Sequence, residues 1–337
     1  MKKYTLSLLR CIKCKKEKFI LNTFSKEKDD ILSGLIKCKN CNAWYPIIDG
    51  IGIFLKQSLL INLGFINKFI KLNNKYFKNI KIDKGDDDPT ETQKREQIEF
   101  FNDHAYEYDK LFPETPFWNA NDNLTLYEWC KIVKNSDLVV DIGGGTGRSS
   151  IPFAIEGANV ISLDISFEMV KKARSKVKNL SLENKIDFLV ADCENLPLKD
   201  NIANVGVMLG VLHHISNPQI ALNELSRILK KRGLYFGHEN NKTILRPIFD
   251  MIMKIWRLHE EKAGEYALIS KDEMKAWASN SSLEVDIKTS TFLPPHLLNF
   301  IGKKLAIPLL YISDKLFNMF PFIKNQGGAL IISGKKL

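Results

Sequence analysis

A glycine-rich segment, DIGGGTG, occupies residues 141–147 directly after the apolar run LVV. Glycines at alternate positions let a chain turn tightly after a strand, and they let its backbone approach a ligand where side chains would collide. A dinucleotide site would carry its third glycine one position later, where this chain has Arg148. The spacing therefore favours S-adenosylmethionine (SAM) over NAD. The predicted loop contacts are Asp141, Gly143, Gly144, Gly145, Thr146 and Gly147.

Two further aspartates stand where the next predicted strands end. Asp164 follows the run NVISL, and Asp192 follows the run KIDFLVA. A carboxylate at the second strand end can accept hydrogen bonds from the ribose hydroxyls of a nucleoside, and one at the third can accept from an adenine amine. Because the carboxyl ends of parallel strands meet at one crevice, we expect both carboxylates to lie beside the glycine loop.

Four of the six cysteines form two Cys-x-x-Cys pairs, Cys11 with Cys14 and Cys38 with Cys41. Two such pairs can supply four thiolates to one tetrahedral Zn2+. Unliganded or redox-active cysteines are the alternative that the spacing leaves open. The sequence therefore predicts a structural zinc site near the N-terminus, and we interpret the other two cysteines as reduced packing residues.

The elements that must position these residues follow a regular order. From Leu138 onward, short runs rich in β-branched residues alternate with helical patterns, which predicts a parallel sheet covered by helices on both faces. We predict an α/β, Rossmann-like fold with a mostly parallel seven-stranded sheet and a small N-terminal zinc-binding module. The predicted divisions are a zinc-ribbon-like module at 1–58, a basic amphipathic helix with an acidic linker at 59–90, and the main domain at 91–337.

Other helices and strands are predicted around this core. Thr90 with Gln93 has the pattern of a capping box for a helix that runs to about Leu111, and a second helix is predicted at 123–134. Toward the C-terminus we predict helices at 243–262 and 271–279, a strand at 283–289, a helical apolar region at 296–323 and a last strand in GALIISG.

Charge and apolar runs are distributed unevenly. Residues 1–84 carry 18 basic and 6 acidic side chains, against 31 and 33 in the rest. Lysines share one face of the predicted helix at 59–82, and this helix with the apolar region at 292–323 could lie against an anionic membrane. Burial of one face against the core is the alternative. No run approaches the roughly 18 apolar residues of a membrane span, and we recognise no signal peptide, so we expect a cytoplasmic protein with peripheral membrane contact as an alternative.

The chain resembles the class I SAM-dependent methyltransferases, in particular the type 11 group, over about residues 95–335. The resemblance rests on VVDIGGGTG, SLDIS, LVADCENLPL and LGVLHHI followed by LNELSRILKKRGLYF. It implies that the glycines line the methionine part of SAM and that Asp164 holds the ribose. It further implies that Ile165 packs on adenine, that Asp192 and the backbone of Cys193 read the adenine edge, and that Tyr108 lies on a helix that closes over the cofactor.

The first 50 or so residues resemble the small zinc-binding activators that accompany tRNA, rRNA and release-factor methyltransferases. This second resemblance rests on the way the second cysteine pair runs into WYPIIDGIGIFL. It implies an activator fused to its own catalytic domain, where it would cover apolar surface.

Two histidines, His213 and His214, follow the fourth predicted strand at the edge of the sheet where substrates bind. A histidine with an ordinary pKa of about 6.5 can take a proton from a hydroxyl acceptor. We predict His214 as the base and His213 as the second candidate, with a structural role in the loop as the alternative for either.

Three functions compete on this basis. The favoured one is SAM-dependent methyl transfer to an O, N or C nucleophile of a small-molecule or lipid-linked acceptor. The second is tRNA or rRNA methylation, in which the zinc module and the lysine face would grip phosphates. The third is a SAM-binding scaffold without catalysis, which the intact glycine loop and both carboxylates disfavour.

Overall fold

The computed structural model describes residues 1–61, 63–77, 89–111, 114–244 and 268–337. Eleven strands form one continuous sheet in the order β1-β2-β3-β4-β7-β6-β5-β8-β9-β11-β10. The strands are β1 (Phe19–Glu27), β2 (Asp30–Cys38), β3 (Trp44–Ile48), β4 (Ile51–Phe54), β5 (Leu138–Ile142), β6 (Asn159–Asp164), β7 (Ile186–Ala191), β8 (Ala203–Leu209), β9 (Leu229–Asn240), β10 (Leu283–Ser290) and β11 (Ala329–Lys336).

The predicted seven-stranded sheet is the part of this sheet that runs from β7 to β10. Strands β5 to β9 pair in parallel, while β11 pairs antiparallel with both β9 and β10. Every residue of β5 and β7 is buried, as expected for parallel strands covered on both faces. Two large apolar clusters occupy the two faces of the sheet. The prediction of a Rossmann-like α/β fold is therefore confirmed.

The N-terminal module extends the same sheet. Strands β1 to β3 form an antiparallel meander, and β4 then pairs in parallel with β7 through Gly52 opposite Leu189 and Phe54 opposite Ala191. An isolated bridge also joins Leu9 to Leu198. The sequence predicted the module and the seven strands but not that they share one sheet, and the predicted domain boundaries stay a prediction.

Helices cover both faces of the sheet. Within the described residues the α-helices are, in chain order, α1 (Lys3–Ser7), α2 (Gln57–Ile61), α3 (Gly64–Leu72), α4 (Pro89–His104), α5 (Tyr108–Leu111), α6 (Pro116–Leu124), α7 (Leu126–Ile132), α8 (Ser150–Ile155), α9 (Phe167–Asn179), α10 (Pro218–Ile228), α11 (Lys271–Asn280), α12 (Pro295–Ile301) and α13 (Lys303–Asn318).

The predicted basic helix at 59–82 is shorter and more buried than expected. It is divided between α2 and α3, and the part of the prediction from 78 to 82 lies outside the described residues. Ile66 and Phe69 of α3 are buried, with Phe69 against Phe24 of β1. The alternative given above, burial of one face against the protein, is what the structure shows for Ile66 and Phe69.

Several predicted helix boundaries also need correction. Helix α4 begins at Pro89, so Thr90 lies inside its first turn and is not the N-terminal cap. The helix predicted at 123–134 is α7, which follows α6 after a break at Thr125, where the backbone is not helical. The predicted helix at 271–279 is confirmed as α11, while most of the one at 243–262 lies outside the described residues.

The apolar region predicted as helical near 296–323 forms α12 and α13, which pack on α6 through Phe117, Ala120, Leu298, Ala306 and Leu310. These helices lie beyond the carboxyl ends of the parallel strands, since Trp118 of α6 contacts His238 of β9. None of the helices in the described part of the chain has both the length and the apolarity needed to span a bilayer.

Candidate functional site

The four paired cysteines converge on one point of the N-terminal module. Their Sγ atoms all lie within 4.8 Å of one another, and the Cys11–Cys41 and Cys14–Cys38 separations are both 3.5 Å. Zn–S bonds of about 2.3 Å at tetrahedral angles would place sulfur atoms about 3.8 Å apart. The donor set and its spacing therefore fit a structural Zn2+.

Neighbouring groups hold these thiols in place. The hydroxyl of Tyr45 lies 3.0 Å from Cys11 Sγ, where it can donate to a thiolate, and the backbone N–H of Asn40 donates to Cys38 Sγ at 3.4 Å. Tyr45 stacks on Phe54 of β4 with ring centroids 4.7 Å apart. Because β4 pairs with β7, the four-cysteine cluster is braced against the main sheet.

A cleft opens at the carboxyl ends of β5 to β8, where the switch-point rule places ligands in open α/β sheets. Side chains and backbone from the loops after each of these strands line it, together with one face of α4 and the start of α5. The predicted site residues that line it are Gly143, Gly145, Asp164, Ile165, Asp192, Cys193, Tyr108 and His214.

The glycine loop shapes the floor of this cleft. Gly143 and Gly145 both have left-handed backbones, with φ of +74° and +52°. A Cβ on Gly143 would lie 2.4 Å from a methyl carbon of Val211, whereas one on Gly145 would meet nothing within 4 Å. Gly145 therefore borders open space into which a ligand can fit, and Gly143 is needed because the loop after β8 packs against it.

Asp164 is anchored by the backbone on both sides. The N–H of Gly145 donates to its Oδ2 and the N–H of Ser166 donates to its Oδ1, both at 2.9 Å. Burial raises the pKa of this carboxyl, although these hydrogen bonds favour the charged form. Each oxygen keeps a further lone pair for a donor in the cleft, so the geometry fits a ribose diol.

Asp192 faces a basic side chain that the sequence analysis missed. The ammonium of Lys94 lies 2.6 Å from Asp192 Oδ2 and also pairs with Glu194. Burial opposes this charge, but the two carboxylates outweigh it and raise the pKa of Lys94. Asp192 Oδ1 accepts from the N–H of Glu194 at 2.9 Å. The predicted adenine carboxylate is therefore present in the cleft, with Lys94 of α4 beside it.

Four of the predicted loop contacts do not line the cleft. The carboxylate of Asp141 is fully buried and accepts from the hydroxyls of Ser149 (2.7 Å) and Ser150, and burial raises its pKa to about 6. The Thr146 hydroxyl donates to the buried Asp109 at 2.5 Å. The loop residues that lie on the side away from the cleft are Asp141, Gly144, Thr146 and Gly147.

The two candidate bases have different surroundings. His213 is buried, and its Nδ1 lies 2.8 Å from Oε2 of the fully buried Glu239. The other oxygen of Glu239 accepts the N–H groups of Val211 and Leu212 at 3.0 and 2.8 Å. His213 therefore anchors the loop and does not line the cleft. His214 does line it, with its ring edge-on to Phe101 at 5.4 Å.

One face of α4 forms a wall of the cleft that sequence reasoning did not predict. Gln93, Gln97 and Phe101 recur at four-residue intervals and line the cleft together with Lys94. The amide of Gln97 also donates to the backbone carbonyl of His214. The four-residue spacing was a readable signal, because residues at i and i+4 share a helix face.

The N-terminal module contacts the loop that carries Asp192. Asn195, three residues further on, donates through Nδ2 to the carbonyl of Ile12 at 3.3 Å and accepts from Lys15. Arg10 pairs with Glu224 at 3.2 Å, and Glu224 accepts the N–H of Leu196 at 2.8 Å. The first cysteine pair therefore adjoins the predicted adenine edge of the cleft.

Comparison with known proteins places two families on this chain. Residues 140–237 match the model of the type 11 methyltransferase domain, and residues 2–50 match that of the Trm112p-like proteins. The ubiquinone/menaquinone biosynthesis C-methyltransferase UbiE of Haemophilus ducreyi is 31% identical over 174 residues, which is 46% of this chain and 67% of that protein. The UbiE of Cronobacter sakazakii is 23% identical over 189 residues, 53% of this chain and 75% of that protein.

Two solved structures share the fold. One is a complex between the Haloferax volcanii Trm112 methyltransferase activator and its methyltransferase partner, with a TM-score of 0.50, 19% identity and coverage of 70% of this chain and 96% of that one. The other is phosphoethanolamine N-methyltransferase 2 of Haemonchus contortus with SAM bound. Its TM-score is 0.52 at 15% identity, over 75% of this chain and 61% of that one.

Proposed function

This chain belongs to the SAM-dependent methyltransferases, with a type 11 catalytic domain and an N-terminal Trm112-like domain, and from that premise we propose a small-molecule or lipid-linked methyl acceptor. SAM, when bound, supplies a methyl group on a sulfonium. In this proposal the backbone at Gly143 and Gly145 contacts the methionine part, Asp164 holds the ribose, and Asp192 accepts from adenine.

The proposed acceptor class is supported by the largely apolar lining of the cleft. Phe101, Leu209, Val211 and Ile215 line the same cleft as His214. Among the described lining residues, Lys94 is the only lysine or arginine, and two carboxylates already neutralise it. An apolar acceptor gains from burial in such a lining, whereas a polyanion gains nothing from a paired lysine.

The names of the UbiE relatives agree with this acceptor class, because they belong to the biosynthesis of ubiquinone and menaquinone. We therefore favour a lipid-linked acceptor within the proposed class. The relatives are similar over about half of this chain, 53% and 46% of its length.

Within this proposal His214 takes the proton that the acceptor loses. Methyl transfer is an in-line displacement in which positioning does most of the work, and a base adds typically 100-fold or more when the acceptor must be deprotonated. Phe101 at its edge and the bond from Gln97 to its carbonyl hold the residue at the cleft. His213 and Glu239 act behind it by fixing the loop.

The test uses SAM with a tritiated methyl group and a lipid-containing cell extract, followed by partition between chloroform and water. We expect label in the chloroform phase that depends on the enzyme, and a loss of about 100-fold with His214→Asn. His104→Asn, an exposed histidine at the end of α4, is the matched control and should retain activity. Label confined to water-soluble macromolecules would overturn the acceptor class.

A second candidate function is methylation of RNA or protein, and the Trm112-like domain is the specific observation that favours it. The solved relative with this fold pairs a Trm112 activator with a methyltransferase, and here the two units share one sheet. The same labelled reaction distinguishes the candidates, because RNA and protein can be precipitated and treated with ribonuclease or protease. Label released by either enzyme would favour this second function.

A further inference from the structure

We propose that the exposed face of α13 is a docking surface for an anionic phospholipid bilayer. The inference goes beyond the proposed function, because docking requires neither SAM nor a methyl acceptor. It rests on three observations: an apolar stripe on an exposed helix face, the lysines that border it, and the firm attachment of the opposite face to the protein.

The apolar stripe consists of Leu305, Pro308, Ile312, Leu316 and Met319. At 100° per residue these five side chains fall within an arc of about 80°. All five are exposed, Ile312 by 59% and Met319 by 71%. The chain continues past the helix with Phe322, which is 95% exposed. Contiguous exposed apolar side chains on a folded protein mark an interaction site.

Lysines border the stripe, and acidic residues are rare in this part of the sequence. Lys304 and Lys315 are exposed and lie within about 40° of one edge of the stripe on the helix wheel. From Lys288 to the C-terminus the chain carries seven lysines and one acidic residue, Asp314. Asp314 is turned inward, since it accepts from the Ser290 hydroxyl and from the N–H of Thr291 (3.0 Å). The surface therefore has the basic and apolar character of an interfacial helix.

The opposite face holds α13 on the protein. Ala306, Leu310 and Ser313 are buried, and Ala306 and Leu310 belong to the cluster that joins α13 to Phe117 of α6. The helix is thus fixed in orientation, and its stripe cannot turn inward without breaking this packing. Because Trp118 of α6 contacts His238, the same group of helices adjoins the carboxyl edge of the sheet, where the cleft opens.

An anionic bilayer explains the surface better than a second copy of this chain. In an antiparallel symmetric pairing through α13, the lysine-rich edges of two copies would approach each other without acidic partners from this helix. Lipid phosphates complement the same charge, and each lysine near an anionic membrane contributes about a fivefold gain in binding.

The experiment is flotation of the full-length protein with two kinds of vesicle, phosphatidylcholine alone or equal parts of phosphatidylcholine and phosphatidylglycerol, without SAM. We expect flotation with the anionic vesicles only, weakening as salt rises. Ile312→Glu with Leu316→Glu should abolish it. Lys304→Gln with Lys315→Gln should weaken it about 25-fold, which is about fivefold per lysine. The matched control is Ile155→Glu with Leu180→Glu, two exposed apolar residues elsewhere, and should float as the parent does.

Three results would overturn the proposal. The first is no flotation with anionic vesicles, and the second is an equal loss of flotation in the control variant. The third is a dimer in light scattering that dissociates in the variant Ile312→Glu with Leu316→Glu, while the parent protein does not bind vesicles. Thermal unfolding and SAM titration of each variant accompany the assay. A failure of the protein to bind SAM would contradict the proposed function while leaving the docking result intact.

Discussion

Replacement of Asp164 by asparagine tests the cofactor site at its best-defined group. Both carboxylate oxygens accept a backbone N–H at 2.9 Å, from Gly145 and from Ser166. An asparagine can reproduce only one of these bonds, because its amide nitrogen would face an N–H donor. Asp164→Asn therefore removes the charge and one acceptor at the place where we assign the ribose, while changing the side-chain volume little.

The expected loss of SAM affinity follows from the hydrogen bond that the substitution removes. A hydrogen bond to a charged group contributes about 1.5–3 kcal/mol, and one ribose hydroxyl loses such a partner in the variant. SAM affinity should therefore fall roughly 10- to 150-fold. The unfolding free energy without SAM should change less, because burial raises the pKa of Asp164 and the neutral amide avoids the desolvation of a charge.

Isothermal titration with SAM measures the affinity, and thermal unfolding without ligand measures the stability. Glu168→Gln is the matched control, because this nearby carboxylate on α9 pairs with Lys171 at the surface, and it should bind SAM as the parent does. An unchanged affinity for Asp164→Asn, within about twofold, would refute the assignment of this carboxylate to the ribose. Unfolding of Asp164→Asn at ambient temperature would contradict our expectation that the substitution affects the unfolding free energy less than the SAM affinity.

Three further predictions concern the loop, the metal cluster and a buried acid. Gly145→Val should lower SAM affinity at least about 10-fold while the protein stays folded, because the new side chain enters the cleft at a left-handed φ of +52°. Titration with SAM measures the affinity and circular dichroism checks the fold. An unchanged SAM affinity would contradict the prediction. Cys14→Ser should reduce zinc in native mass spectra and lower the unfolding midpoint by more than about 5 °C, and an unchanged midpoint would argue against a structural metal. Burial raises the pKa of Asp314 to about 6, so the unfolding free energy should fall by about 2 kcal/mol as pH rises from 4 to 6. Asp314→Asn should flatten that slope in urea titrations, and a slope unchanged by the substitution would locate the effect elsewhere.

Most of the site residues that could be predicted from the sequence were found from local patterns. The cysteine pairs and the glycine loop are short, and their chemistry depends on spacing within a few residues. Asp164 and Asp192 followed from strand periodicity, because strand ends meet at one edge. These features require no knowledge of which distant segments touch.

The features that were missed depend on contacts between distant segments or on side-chain direction. Lys94 and Asp192 are 98 residues apart, so their pairing left no pattern in either segment. The sequence could not tell that His213 turns toward Glu239 while His214 faces the cleft, since adjacent residues in a loop follow no fixed period. Asp141 and Thr146 lie in the expected loop but point behind it, for the same reason.

The pairing of β4 with β7 has a consequence for the way this chain is made. A parallel pair between residues near 52 and 189 closes a loop of more than a hundred residues, and such pairings form slowly because the loss of chain entropy precedes the gain in contacts. During synthesis the N-terminal module leaves the ribosome long before β7 exists. Its β4 edge then has no partner, and an unpaired edge is a template for association with other chains. Binding of zinc and the meander of β1 to β3 can order the module early. Its last strand, β4, gains its second neighbour only when β7 of the catalytic sheet has been made. The end of the chain that emerges first is thus among the last to be completed.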